Sequence, residues 1–250
     1  MKEIQGTCHI CGQNKKLTFE HIPPHKAFNN LPAKVYNGGE LLKKYKGEPY
    51  KYQNMQKGKG GYTLCEECNN NTGSWYAEEY IEIALVTAYA IKDYEPMNVG
   101  TAIHFHTDKY RPLSFIKQII AMFCSTLYIE DVQLLGFDKL LLNKTSNEID
   151  KAKFDIRMYL TNVKNGQFQT GKMELLKQND SSIYVQNIAE IGAYPFGFIL
   201  NMTPEHPIEE GISIMWMLDT EYGINYNVEI DIPYLEKKDI NNPFNIGFKK

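Results

Sequence analysis

Apolar residues change their spacing near residue 150, and this change divides the sequence into two patterns. Before that point, residues 75–93 and 113–128 carry apolar side chains three and four positions apart, which predicts two amphipathic helices. After it, apolar and polar residues alternate, which predicts the strands of an antiparallel sheet. The predicted strands lie near residues 154–160, 166–176, 182–188, 196–202, 212–219 and 225–231.

The first 75 residues are more polar and contain only short strand patterns. One strand is predicted over residues 17–22, and Pro23 and Pro24 end it because proline has no N–H for a β-ladder. A second strand is predicted over residues 61–64 and leads directly into Cys65. This region is therefore expected to form a small unit separate from the longer pattern that follows.

Residues 25–61 form a basic, tyrosine-rich insertion between these two strands. Asparagine and glycine turn signals within it predict one hairpin. Lysines interleaved with tyrosines, as in residues 43–52, are suited to following a phosphate backbone and to stacking on bases. The alternative is an ordinary surface hairpin whose lysines simply face water.

Four of the five cysteines form two C-x-x-C pairs, and the fifth is Cys124. The paired residues are Cys8 with Cys11, and Cys65 with Cys68. Each pair lets two sulfur atoms of one tight turn reach the same ion, so we predict a closed, structural zinc site of four thiolates. Free thiols or a redox pair are the alternative. Cys124 follows a predicted helical stretch and is interpreted as a small buried hydrophobic residue.

Composition and charge indicate a globular chain whose N-terminal part is basic. Apolar residues make up 43% of the chain and aromatic residues 12%, which is enough for a sizeable core. Residues 1–75 carry eleven lysines and six glutamates, a local charge of +5, whereas the remainder carries −8. This asymmetry favours a phosphate-binding site in the N-terminal part. Without a signal-like segment or an apolar run of ~18 residues, we expect a cytoplasmic protein with no membrane partner.

Three sequence elements occur together in an order that resembles the HNH endonuclease family. The order is Cys8-x-x-Cys11, then Glu20-His21-Ile22-Pro23-Pro24, then Leu64-Cys65-x-x-Cys68-Asn69-x-x-Thr72-Gly73. It is similar to the zinc-knuckle, McrA-like branch of that family, over residues 5–76. The resemblance implies a ββα-metal, treble-clef-type fold with a structural zinc ion and a catalytic Mg²⁺ or Mn²⁺ ion. It also implies nucleic acid, in particular DNA, as the partner, and cleavage to a 5′-phosphate and a 3′-hydroxyl.

By the same resemblance, the catalytic residues are His21, Glu20 and Asn69. His21 is the expected general base, because the ordinary pKa of histidine leaves it largely neutral at pH 7. Glu20 and Asn69 are expected to hold the catalytic ion through hard oxygen atoms. In a regular strand Glu20 and His21 point to opposite faces, so both serve one site only if the strand is distorted or the ion lies at its edge. The candidate substrate contacts are His25, Lys26 and Thr72.

Four positions depart from the family pattern. Glu20 is one methylene longer than the commoner aspartate, and Asn69 stands at the last motif position in place of histidine, a substitution frequent in the family. Gly60 stands where the family has an asparagine that braces the catalytic histidine, so this brace is missing or comes from elsewhere. Thr72 stands where many members carry lysine. These departures keep a second hypothesis open, in which the module is catalytically inactive, binds zinc and docks nucleic acid or a protein partner.

The sequence therefore predicts an α+β fold in two parts. Residues 1–75 are expected to form the zinc-stabilised ββα-metal nuclease module. Residues 76–250 are expected to form a body of two helices followed by a mostly antiparallel β-sheet. No motif marks the body, and substrate recognition, ligand sensing and homo-oligomerisation are all open roles for it.

Overall fold

A computed structural model describes residues 3–35, 37–92, 98, 100–162, 168–178 and 183–235 of the chain. The strands are β1 (Gln5–Thr7), β2 (Asn14–His21), β3 (Ala33–Val35), β4 (Gln53–Met55), β5 (Gly60–Cys65), β6 (Ala102–Tyr110), β7 (Asp155–Leu160), β8 (Phe168–Gln169), β9 (Met173–Gln178), β10 (Ile183–Ala193), β11 (Phe196–Asn201), β12 (Ile212–Ser213) and β13 (Tyr226–Pro233). The α-helices are α1 (Gly38–Lys46), α2 (Glu66–Trp75), α3 (Ala77–Lys92), α4 (Pro112–Cys124), α5 (Ile129–Leu135) and α6 (Phe137–Leu142). The predicted mixture of helices and antiparallel sheets is confirmed.

The N-terminal sheet consists of three antiparallel strands in the order β1-β2-β5, and α2 follows β5 directly. The tight turn between β1 and β2 contains Cys8 and Cys11, and Gly12 adopts a φ of +69° there, which glycine tolerates without strain. Cys65 ends β5 and is the N-cap residue of α2. This order of elements brings both cysteine pairs to the same end of the sheet.

The segment of residues 25–59, between β2 and β5, is called the arm below. Within the arm, β3 and β4 pair in antiparallel fashion, as expected of a hairpin. The connection between them is helix α1, which the sequence analysis did not predict. The side chain of Asn37 caps this helix by accepting from the Glu40 N–H at 2.9 Å, and Gly47 closes it in the left-handed conformation.

Helix α4 lies at the centre of the body, and all of its residues are buried. It begins at Pro112, whose fixed φ suits the first turn of a helix, and it ends four residues before the predicted position. Phe115 of α4 packs edge-on against Phe196 and Phe198 of β11, which joins the helix to the sheet. The predicted second helix is thus followed by the separate short helices α5 and α6.

The C-terminal sheet is antiparallel, with the order β12-β7-β11-β10-β8 and with β9 also paired to β10. Three of the predicted strands differ from the structure. The described part of the strand predicted over residues 166–176 forms two separate strands, β8 and β9. Residues 212–219 form the short β12 and then a 3-10 turn over Met215–Asp219, because the adjacent residues Met217 and Leu218 are both buried, which an alternating strand does not allow. β13 pairs with β6 instead of joining the main sheet.

One hydrophobic core joins the N-terminal sheet to the body. It contains Cys8 and Leu64 from the sheet together with Tyr80 of α3, Phe123 of α4 and Phe198 of β11. The domain boundary predicted near residue 75 stays a prediction, and α2 packs directly against α3 and α4. In the part of the chain that the structure describes, no helix is both long and apolar enough to cross a membrane.

Candidate metal centre and the His21 site

The two cysteine pairs meet at one end of the N-terminal sheet. The four sulfur atoms all lie within 4.8 Å of one another, and those of Cys11 and Cys65 are 3.9 Å apart. Sulfur atoms on one zinc ion lie about 3.8 Å apart, because the Zn–S bonds are about 2.3 Å and tetrahedral. The cluster therefore fits zinc, as predicted. Within the described ranges, it is the one group of three or more His, Cys, Asp or Glu side chains that is close enough to hold a metal.

The pKa values of the cysteines are also suited to binding a cation. The thiol of Cys68 donates a hydrogen bond to Cys8, which lowers the pKa of Cys8 to about 4 and raises the pKa of Cys68. Burial raises the pKa of Cys11. Because the thiolate is the form that binds metal, an ion that binds here displaces protons from the protonated thiols, and its affinity depends on pH.

Two contacts attach this end of the sheet to the C-terminal end of α4. Nδ1 of His9, which lies within the first cysteine pair, donates to the backbone carbonyl of Cys124 at 2.9 Å. The hydroxyl of Ser125 donates to Oε2 of Glu20 on β2. The cysteine cluster, β2 and α4 are therefore packed together as one unit.

His21 is the half-buried last residue of β2, and its ring is held in one orientation. Its Nε2 lies 2.9 Å from the carbonyl oxygen of Lys57 in the arm. A carbonyl can only accept, so Nε2 carries the proton and Nδ1 carries the lone pair of the neutral ring. Burial lowers the pKa of His21, the hydrogen bond to the Lys57 carbonyl raises it in part, and the neighbouring His25 makes a smaller contribution that lowers it. His21 is thus neutral at pH 7, with Nδ1 as its basic atom.

Aromatic rings surround His21. The ring of His25 lies 4.8 Å away and that of Phe19 4.9 Å away, both in edge-on contact. Tyr62 of β5 extends this group, because its ring is 5.4 Å from Phe19 and the residue is 44% exposed. His25 and its neighbour Lys26 are both exposed, and their role as substrate contacts stays a prediction.

Glu20 lies on the opposite face of β2 from His21. It is only 6% exposed and meets Ser125 at the end of α4. Burial raises the pKa of Glu20 to about 8, so its carboxyl group is mostly protonated at pH 7. The irregularity in the pairing of β2 with β5 falls earlier, between Thr18 and Phe19, and does not turn Glu20 towards His21. A buried, neutral carboxyl group on the far face does not fit a magnesium ligand.

Asn69 lies in the second turn of α2 and links this helix to β2. Its Nδ2 donates to Oγ1 of Thr18 at 3.0 Å and to the carbonyl of Phe19 at 3.2 Å. The amide oxygen, on the other side of the same group, is the atom through which Asn69 could hold a cation. Thr72 is only 3% exposed, and its hydroxyl donates to the carbonyls of Cys68 and Asn69. The structure therefore does not present Thr72 to a substrate.

No protein-family model, curated protein or solved structure matches this chain. The resemblance to HNH endonucleases is therefore carried by the motif residues alone. Whether His21 is able to act as a base, and Glu20 and Asn69 as metal ligands, therefore depends on where the structure places each side chain.

Gly60 explains why the expected asparagine is missing. It pairs with His21 across the ladder between β2 and β5, and a Cβ atom there would lie 1.9 Å from the carbonyl oxygen of Glu20. Any larger residue would push the two strands apart. The group that braces the His21 ring is instead the backbone carbonyl of Lys57, a role that needs no particular side chain.

Asn29 is the residue that sequence reasoning missed. It is 3% exposed, its Nδ2 donates to the carbonyls of Pro23 and Lys59 at 2.7 Å each, and its Oδ1 accepts from the Lys59 N–H at 2.7 Å. These bonds join the turn after β2 to the segment that carries the Lys57 carbonyl. In the sequence, Asn29 and Asn30 look alike as turn residues, so nothing distinguishes the buried one from its exposed neighbour.

Replacing Asn29 with alanine is expected to lower the free energy of unfolding by about 2–3 kcal/mol, because buried backbone groups lose their partners. The Lys57 carbonyl should also lose its fixed position, so the His21 ring should no longer favour a single tautomer. Urea unfolding and ¹⁵N chemical shifts of the histidine rings measure the two effects. Asn30→Ala is the matched control, and equal behaviour of the two variants would contradict the role given to Asn29.

Proposed function

We propose that this protein is an HNH-type endonuclease that hydrolyses DNA phosphodiester bonds, with His21 as the general base. The observation that carries this proposal is the orientation of His21 by the Lys57 carbonyl, at the opposite end of β2 from a four-cysteine cluster that fits zinc. The chain order β2, β5, α2 supports a ββα-metal arrangement, because the cysteines tie both strands to the start of the helix. The basic arm next to His21 supports an anionic polymer as the substrate.

In the proposed reaction, Nδ1 of His21 takes a proton from a water molecule while the water oxygen attacks the phosphorus atom. The bond from phosphorus to the 3′ oxygen breaks, and that oxygen takes a proton from solvent. The products are a 5′-phosphate and a 3′-hydroxyl. The lowered pKa of His21 keeps the ring in the form that accepts a proton at neutral pH.

A divalent cation would neutralise charge on the phosphate, as the resemblance implies. Of the two expected ligands, Glu20 does not fit this task because its carboxyl group is buried and mostly protonated, whereas Asn69 keeps its expected role through its amide oxygen. Glu20 therefore has no catalytic role in this proposal. It instead joins β2 to Ser125 at the end of α4.

The burial of Glu20 also favours a second candidate function. Without a carboxylate from β2, the N-terminal part could be a zinc-stabilised module that docks nucleic acid or a protein without cutting it. The two candidates share the zinc site and the basic arm. They differ in whether a divalent ion, in addition to zinc, starts a reaction.

Incubation of zinc-loaded protein with supercoiled plasmid separates the two candidates. Nicked plasmid is expected when Mg²⁺ or Mn²⁺ is added and not when it is omitted. Direct resealing of the nicks by a DNA ligase would verify the 5′-phosphate and 3′-hydroxyl ends. Binding of DNA with no cleavage of either the plasmid or a single-stranded oligonucleotide in either ion would contradict the endonuclease and support the docking module.

A further inference from the structure

The arm is the most basic segment of the chain, and its charge is concentrated. Residues 25–59 contain eight lysines and two glutamates, with no arginine or aspartate. One of these glutamates is neutralised within the arm, because Glu40 accepts from Nζ of Lys43 at 2.7 Å and from the N–H of Lys51 at 2.6 Å. Lys34, Lys44 and Lys51 are all exposed. The arm therefore presents a positive surface to solvent.

Both ends of the arm are attached to the His21 site. The carbonyl of Lys57 accepts from the His21 ring, and the carbonyl of Lys59 accepts from the N–H of Ile22 at 3.0 Å. Asn29 joins the first part of the arm to Lys59. A strand of nucleic acid lying along the arm would thus pass next to His21.

Two tyrosines of the arm accompany its lysines. Tyr50 is 41% exposed and Tyr52 is 45% exposed. Nζ of Lys34 lies 4.4 Å from the centre of the Tyr52 ring, and Nζ of Lys44 lies 6.0 Å from that of Tyr50. An aromatic ring beside an ammonium group offers both stacking for an unpaired base and charge for its phosphate.

We infer that the arm binds single-stranded DNA, with its lysines on the phosphates and with Tyr50 and Tyr52 stacking on unpaired bases. Paired bases are already stacked on one another in a duplex, so exposed tyrosines favour a strand whose bases are free. As a statement about the substrate of the His21 site, this inference rests on the proposed function. The strand preference itself is a binding property and can be measured without cleavage.

The test is fluorescence anisotropy with a labelled 20-nucleotide single strand and the matching duplex, with zinc-loaded protein and no added Mg²⁺ or Mn²⁺. The arm variant combines Lys34→Gln, Lys44→Gln and Lys51→Gln. The control variant combines Lys92→Gln, Lys109→Gln and Lys139→Gln, which are exposed lysines of the body. Circular dichroism spectra and thermal unfolding establish that both variants are folded.

Wild type is expected to bind the single strand more tightly than the duplex. For the single strand, the plot of log affinity against log salt concentration should be shallower for the arm variant by about two. Each phosphate contact contributes roughly 0.7 to this slope, and the variant removes three lysines. The control variant should keep the wild-type slope. Tyr50→Leu combined with Tyr52→Leu should weaken single-strand binding roughly thirtyfold or more, with little change of slope.

Equal slopes for the arm and control variants would overturn the inference, and so would tighter binding of the duplex. Failure of the proposed function is a different result. In that case the wild type shows the predicted binding but leaves both the labelled single strand and the plasmid intact in Mg²⁺ and Mn²⁺, and the arm keeps its role in a docking module.

Discussion

Replacing Cys68 with serine is expected to abolish stoichiometric zinc binding and to lower the thermal unfolding midpoint by roughly 10 °C or more. The four cysteines lie in the β1–β2 turn, at the end of β5 and at the start of α2, so an ion bound to them would join segments that are far apart in sequence. Structural zinc sites couple metal binding directly to folding. A decrease of about 3 kcal/mol in the free energy of unfolding already lowers the unfolding midpoint by roughly this amount in a chain of this length.

Zinc content and the unfolding midpoint of the same preparations test this prediction. Cys124→Ala is the control, because Cys124 is equally buried but lies outside the cluster. It should keep one zinc ion per chain even if a packing defect lowers its stability. One zinc ion per chain in Cys68→Ser, or no zinc in wild type, would contradict the assignment of the cluster.

Replacing Glu20 with glutamine is expected to preserve the fold and to stabilise the protein at alkaline pH. In the unfolded chain Glu20 loses its proton near pH 4.5, whereas in the folded chain it keeps the proton until about pH 8. The folded state therefore binds more protons between these values, and the free energy of unfolding falls as pH rises through this window. Between pH 6 and pH 8, the free energy of unfolding of wild type should fall by roughly 2 kcal/mol relative to that of Glu20→Gln.

Urea unfolding of the zinc-loaded proteins at pH 6, 7 and 8 measures this difference. Glu20→Ala should be less stable than Glu20→Gln at every pH, because it leaves a cavity and an unpaired Ser125 hydroxyl. The plasmid assay adds a second readout. If Glu20→Gln unfolds like wild type at all three pH values but no longer nicks plasmid, Glu20 is a metal ligand and its buried position is not the functional one.

The local features of the site could be predicted from the sequence. The C-x-x-C spacing predicts the cysteine cluster, because each pair places two sulfur atoms in one turn. The structure brings the four sulfur atoms together. The alternation of a β-strand also predicted that Glu20 and His21 face opposite ways. The family resemblance nevertheless assigned both residues to one site, and the structure keeps them apart.

Contacts between distant segments could not be predicted in the same way. The Lys57 carbonyl orients His21 from 36 positions along the chain, and backbone groups carry no signature in a sequence. Asn29 has its role because it is buried between two loops. β13 has the alternating pattern expected of the main sheet, but its partner is β6, since periodicity predicts a strand without naming its neighbour.

The proposed role of His21 as the base of a DNA endonuclease is tested most directly by comparing plasmid nicking by wild type and His21→Ala. Both proteins are loaded with zinc and assayed in Mg²⁺ and in Mn²⁺. His104→Ala, which removes an exposed histidine of the body, is the matched control. We expect wild type and His104→Ala to nick at equal rates and His21→Ala to be slower by about 10²–10⁴-fold, with its zinc content and stability retained. Nicking by His21→Ala at the wild-type rate would contradict the account.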